Sequence, residues 1–191
     1  MISEDDSLKV RDLVIHGVVD DLMADSLLRE FQTGGYRNDT HLRLFLNSSG
    51  GSMSIAMAIA RILLSSFRRI STYNLSKVDS AAIIIFLAGS ARYCCPTAGF
   101  LFHAPKIQLN GSYNQRELME YMALLQSDSE VMARYYHERA GILPEALQNY
   151  MKEQTNFDCS MALQTGLATG VCENPQFNNP RYLYAVRNQQ M

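Results

Sequence analysis

No apolar run in the chain approaches the ~20 residues that a membrane-spanning helix requires. The apolar stretches are short and interrupted by charged or polar residues. The first ten residues, MISEDDSLKV, are acidic and polar, unlike the basic and apolar leader of a secreted protein. A basic stripe is also missing. Lys and Arg number 17 against 19 Asp and Glu, they are scattered, and the net charge is −2, so a nucleic-acid partner is not expected. Cysteine is sparse. Cys94, Cys95, Cys159 and Cys172 follow no zinc-ligand spacing and read as buried reduced thiols, with no metal and no cofactor implied. Internal repeats, low-complexity runs and linkers are absent as well. These absences leave a soluble cytoplasmic protein of one domain spanning residues 1–191, long enough to bury a substantial core.

What is present is an alternation of strand-like and helix-like segments. VRDLVIHG (10–17) reads as a strand. DDLMADSLLREFQ carries apolar residues at helical spacing, with Asp20 or Asp21 as its cap and Gly34 and Gly35 as its stop. HLRLFLN (41–47) alternates like a strand, SSGGS (48–52) turns, and SMSIAMAIARILLSSF is helical again. RRISTYNL and FLFHAP are further strands. SAAIIIFLAG (80–89) is ambiguous, because three isoleucines favour a strand while the alanines and Gly89 favour a buried helix. Residues 114–140 form a long helix with a Leu, Met and Tyr stripe. LPEALQNYMKE and SMALQTG follow as shorter helices, and 173–191 reads as an irregular tail. Strand–helix repetition of this kind implies βαβ units and a mainly parallel sheet, an α/β fold.

Three features carry chemistry. Gly50 and Gly51 sit between a strand and a helix, where a tight turn can aim backbone N–H groups at an oxyanion. Ser80 stands just before an apolar segment, either as a helix N-cap or as a nucleophile with the Ala81 N–H beside it. His103 ends an apolar strand, either as a core histidine or as a general base.

Taken together, the runs LNSSGGSMSIAMAIA, VDSAAIIIFLAG and RYCCPTAGFLFHAP resemble the turn, nucleophile and histidine segments of the Clp protease proteolytic subunit (ClpP) family, serine peptidases of family S14. The first strand and helix, the long helix and SMALQTGLATGV are similar as well, so the likeness covers roughly residues 8–172. It implies a ClpP/crotonase-like spiral of ββα and βαβ units with a protruding handle helix at 114–140. It also implies a serine endopeptidase hydrolysing peptides or unfolded proteins through an acyl-enzyme, inside a homo-oligomeric chamber, a heptameric ring or double ring. Carried over position by position, Ser80 is the nucleophile and His103 the base. The oxyanion hole comes from Gly51 and Ala81, with Gly50 shaping the turn. Lys106, Ile107, Gln108, Leu109, Asn110 and Gly111 belong to an edge strand that pairs with extended substrate.

The sequence departs from the family in three places. The position of the family's catalytic aspartate is Thr155, and the nearest acid, Asp158, is either a displaced third member of the triad or an N-cap for SMALQTG. The segment 1–9 is shorter than the one that meets an AAA+ ATPase ring in the family, which puts coupling to such an ATPase in question. Ala104 replaces the family's usual glutamine. The alternative reading is therefore a catalytically weak or inactive ClpP-like subunit that acts structurally in a mixed ring with a second ClpP-type subunit. A crotonase-type acyl-CoA enzyme would need an acidic base and an adenine site. A serine–lysine dyad through Lys77 or Lys106 would leave His103 without a role.

Overall fold

The computed structural model describes residues 9–36 and 40–184. Most of the segment 1–9 therefore lies outside the described residues. In chain order the first elements are β1 (Lys9–His16), α1 (Asp21–Thr33), β2 (Thr40–Ser48), α2 (Met53–Ser66), β3 (Arg69–Val78), α3 (Ala82–Phe86) and β4 (Ala91–Cys94). They are followed by β5 (Phe100–Leu101), α4 (Gln115–Ala140), α5 (Pro144–Lys152), β6 (Asn156–Phe157), α6 (Cys159–Gln164), β7 (Gly170–Val171) and β8 (Arg181–Tyr184). Six strands form one sheet in the order β7-β4-β3-β2-β1-β8, and every pairing in it is parallel. A separate pair, β5 and β6, is antiparallel.

The helices begin and end where local chemistry directs. Asp20 caps α1 by accepting the Met23 N–H at 3.0 Å, which resolves the choice between the two aspartates. Ser52 caps α2. Asn114 and Glu117 form a reciprocal capping box on α4, and Gly141 ends that helix in the left-handed conformation. Pro144 opens α5, where its missing N–H costs nothing. The apolar faces of β1, β2, α1, α2 and α3 converge on one core that includes Leu13, Ile15, Leu44, Leu63, Ile84 and Phe86.

One ambiguity is resolved and two expectations need correction. SAAIIIFLAG takes its buried-helix alternative, over part of its length. It is a five-residue helix, Ala82–Phe86, buried on all sides, so the three isoleucines pack in a helical segment because the surroundings are uniformly apolar. Residues 106–113 form no strand, and of FLFHAP only Phe100 and Leu101 do. Pairing with β6 reaches only as far as the Phe102 N–H bond to Thr155 O, and among the described residues no ladder continues beyond it. The tail is not wholly irregular. Arg181–Tyr184 join the sheet beside β1, and buried Asp12 directs them there: its carboxylate pairs with Arg43 and accepts the Asn178 N–H at 2.6 Å, while Arg43 donates to the Gln176 carbonyl at 3.0 Å. A carboxylate with so many donors holds the chain leading into β8. Of the thiols, Cys94, Cys95 and Cys159 are buried and Cys172 is half-buried.

Candidate active site

The segment Asp79-Ser80-Ala81 leaves the end of β3 and enters α3 through a sharp turn. Three backbone bonds pin it: Asp79 N–H to Ser48 O at 3.0 Å, Ser80 N–H to Leu101 O at 2.8 Å, and Val78 N–H to Gly99 O at 3.1 Å. Ser80 sits at φ +52°, a left-handed conformation that a residue with a Cβ adopts only under constraint. The first turn of the helix is tight, since Ala82, Ile83 and Ile84 donate to the carbonyls of Asp79, Ser80 and Ala81 respectively. Those bonds begin one residue too late to use the Ala81 N–H. Among the described residues it has no hydrogen-bond partner.

Gly50 and Gly51 face this turn. The Gly50 carbonyl accepts the Val19 N–H at 2.8 Å, and Ser52 N–H returns to Val19 O at 2.8 Å. In a trans peptide the N–H points opposite to the C=O. Fixing the Gly50 carbonyl toward Val19 therefore turns the Gly51 N–H the other way, and among the described residues that N–H is unpartnered too. Both glycines have positive φ, +85° and +151°. A cavity of about 550 Å³ brings Gly50, Gly51, Ser80, Ala81 and His103 together and is walled by Met53, Pro105, Lys106, Leu124, Asp128 and Met132.

His103 is half-buried at the rim of this cavity. Its Nδ1 lies 2.8 Å from the Ala104 carbonyl, which can only accept, so Nδ1 carries the proton and Nε2 is left as the basic nitrogen. Ser80 Oγ and His103 share the cavity without a hydrogen bond between them.

Asp158 does not reach this histidine. It caps α6, accepting the Met161 N–H at 2.8 Å. The β5–β6 register pairs Phe100 with Phe157 and Leu101 with Asn156, and Phe102 N–H bonds Thr155 O at 2.9 Å. Antiparallel pairing thus runs Asp158 toward Gly99 and away from His103, while Thr155 lies near the histidine. Of the segment 106–111, Lys106 lines the cavity, and Gln108, Leu109, Asn110 and Gly111 are exposed with no strand partner.

Several contributors were missed from sequence. Asp79 is buried next to Ser80 and accepts the Leu101 N–H at 2.9 Å. Burial raises its carboxyl above the usual aspartate range, against the opposing pull of that hydrogen bond and of Lys77 and His103. Arg139 donates to the carbonyls of Leu87 and Ala88, and Arg92 to that of Gly89, so two guanidiniums hold the carbonyls just past α3. Tyr136 lies under the turn, its hydroxyl 3.5 Å from Ser80 O. The VDS tripeptide put Asp79 beside Ser80 in plain view, but its burial needed the fold. Arg92 and Arg139 left no sequence signal, because their partners are backbone carbonyls.

Comparison with known proteins shows the family and the fold of this chain. Residues 3–175 match the Clp protease family. The chain is 25% identical over 167 residues to the ATP-dependent Clp protease proteolytic subunit 2 of Pseudomonas aeruginosa, covering 86% of this chain and 82% of that one. It is 26% identical over 171 residues to the ATP-dependent Clp protease proteolytic subunit of Bdellovibrio bacteriovorus, covering 87% and 81%. A solved structure of a ClpP1 point mutant from Listeria monocytogenes superposes with a TM-score of 0.70 at 20% identity, covering 89% of this chain and 94% of that one, a likeness of fold. The chain belongs to the Clp protease proteolytic subunit family, a family of serine peptidases.

Proposed function

We propose that this family member is a serine endopeptidase that forms an acyl-enzyme on Ser80. The observation that carries the reading is the pair of unpartnered N–H groups, Gly51 and Ala81, on the same cavity as a serine held at φ +52°. In the proposed reaction Ser80 Oγ attacks a peptide carbonyl while His103 Nε2 takes its proton. The carbonyl oxygen becomes an oxyanion and accepts from the two N–H groups. Collapse of the adduct expels the amine, which receives the proton from His103. Water, deprotonated by the same nitrogen, then releases the acyl group.

The orienting role that a carboxylate has in a triad falls here to the Ala104 carbonyl, which fixes the tautomer of His103. A carbonyl stabilises the imidazolium less than a carboxylate would, so turnover is slow relative to a full triad. Residues 106–111, exposed except for half-buried Ile107, belong to no ladder among the described residues, which supports binding of an extended peptide through main-chain bonds. Leu118, Met119, Met122 and Leu124 lie exposed on the first half of α4, which supports burial of this handle in a homo-oligomeric ring or double ring. The names of the relatives support an ATPase partner.

The missing hydrogen bond between Ser80 and His103 favours a second reading, a weak or inactive subunit completed by a second ClpP-type chain. Labelling the assembled protein with a fluorophosphonate decides between them. An adduct on Ser80, absent from Ser80→Ala, supports the peptidase. No adduct leaves the structural subunit.

A further inference from the structure

One wall of the cavity does not fit an apolar substrate pocket. Leu124, Asp128 and Met132 stand one helical turn apart on α4 and all face the space beside Ser80. Asp128 has no role in the helix itself. It is far from both ends of a 26-residue helix, so it caps nothing. Its neighbours at three and four residues are Leu124, Leu125, Val131 and Met132, so no cation on the helix pairs with it. Among the described residues it makes no hydrogen bond or ion pair, and Lys106 across the cavity lies beyond ion-pair distance. Aspartate is also a poor helix former. A residue that local rules disfavour and no local contact explains belongs to the cavity it faces.

The geometry points to Asp128 as the specificity-determining carboxylate of the pocket beside Ser80, selecting lysine or arginine on the residue whose carbonyl is attacked. This rests on the serine peptidase reading above. The cavity suits such a side chain along its length. Met53, Leu124 and Met132 offer apolar surface to the methylene stem, and the carboxylate meets the cationic head. Partial burial raises the Asp128 carboxyl above its ordinary value, and an arriving cation offsets that desolvation. Lys106 is exposed on a flexible stem and can keep its ammonium in water, and it makes no ion pair with Asp128. An acidic side chain in the same pocket meets Asp128 as a like charge.

The test uses the full-length protein and peptidyl diphenyl phosphonates of one sequence carrying Arg, Leu or Glu at the reacting position. The rate of Ser80 modification is read by intact mass, beside a fluorophosphonate that carries no side chain. The expected order is Arg, then Leu, then Glu, with Arg ahead of Leu by roughly tenfold or more, the scale of a charge-assisted hydrogen bond. Asp128→Asn removes that lead, and Asp128→Lys places Glu ahead of Arg. Fluorophosphonate labelling with Leu equal to or ahead of Arg, or an Arg lead that survives Asp128→Asn, overturns the specificity and leaves the peptidase reading standing. No fluorophosphonate adduct on Ser80 overturns both.

Discussion

Gly50 lies against Ser80 so closely that a Cβ at position 50 would stand 2.9 Å from the Ser80 Cβ and 2.6 Å from the Asp79 carbonyl. The turn after β2 and the turn after β3 are thus built as one object, in which each fixes the other. Gly50→Ala is expected to force the two apart, and the positive φ adds about 1–2 kcal/mol of strain. Labelling of Ser80 should fall sharply and the melting temperature should drop. Unchanged labelling in a well-folded Gly50→Ala protein would show that the contact does not set the nucleophile.

Ser80 holds a left-handed conformation that costs stability, and in the proposed reaction it is the nucleophile. Ser80→Ala should abolish peptide hydrolysis, with a loss of at least ~10³-fold. Ser80→Gly should be as inactive but more stable than Ser80→Ala by about 1 kcal/mol, because glycine tolerates φ +52° without a Cβ clash. Urea denaturation of the two variants compares them directly, and equal midpoints would mean the turn is unstrained.

Asp158 is a cap. Asp158→Ala should cost about 1 kcal/mol of stability through loss of the bond to Met161 N–H, and should leave the rate of Ser80 labelling as in the wild type. Asp158→Ser should restore the stability. A collapse of labelling in a stable Asp158→Ser protein would return this residue to the catalytic machinery.

Asp79 makes stability depend on pH in a direction opposite to a paired carboxylate. Burial raises its folded pKa above the unfolded one, so between those values the folded state holds the proton more firmly. Stability from this group is therefore present below the ordinary aspartate range and declines as pH rises through the raised value. Asp79→Asn keeps an oxygen for the Leu101 N–H and carries no charge to desolvate. At neutral pH it should be at least as stable as the wild type, and the gap should close on acidification. Thermal melts across pH 3–8 (a span of roughly this width brackets the carboxylate range) read this out, and a gap that widens in acid would refute the sign.

The α/β alternation, the capped helices and the central strands of the sheet were legible because each depends on local period, caps and stops, whereas β8 was not. Ser80, His103, Gly50, Gly51 and Ala81 were picked out because the contiguous segments that carry them resemble those of a known family, and the structure collects all five around one cavity. Asp158 was ambiguous from the sequence because a cap and a triad member are the same residue type. In the structure it caps α6, and the β5–β6 register runs it away from His103. The strand expected over 106–111 is not formed, because pairing depends on a partner and no strand among the described residues pairs there.

The sequence by itself determined where the chain turns, which segments are amphipathic and which short motifs carry Ser80 and His103. Those are properties of neighbours a few residues apart. Only the tertiary structure decided that Asp79 is buried, that Arg92 and Arg139 hold the carbonyls after α3, that Asp12 draws the tail into the sheet, and that Asp128 faces Ser80. Each of those rests on contacts between residues distant in the chain, where burial and the loss of water change what a charge is worth.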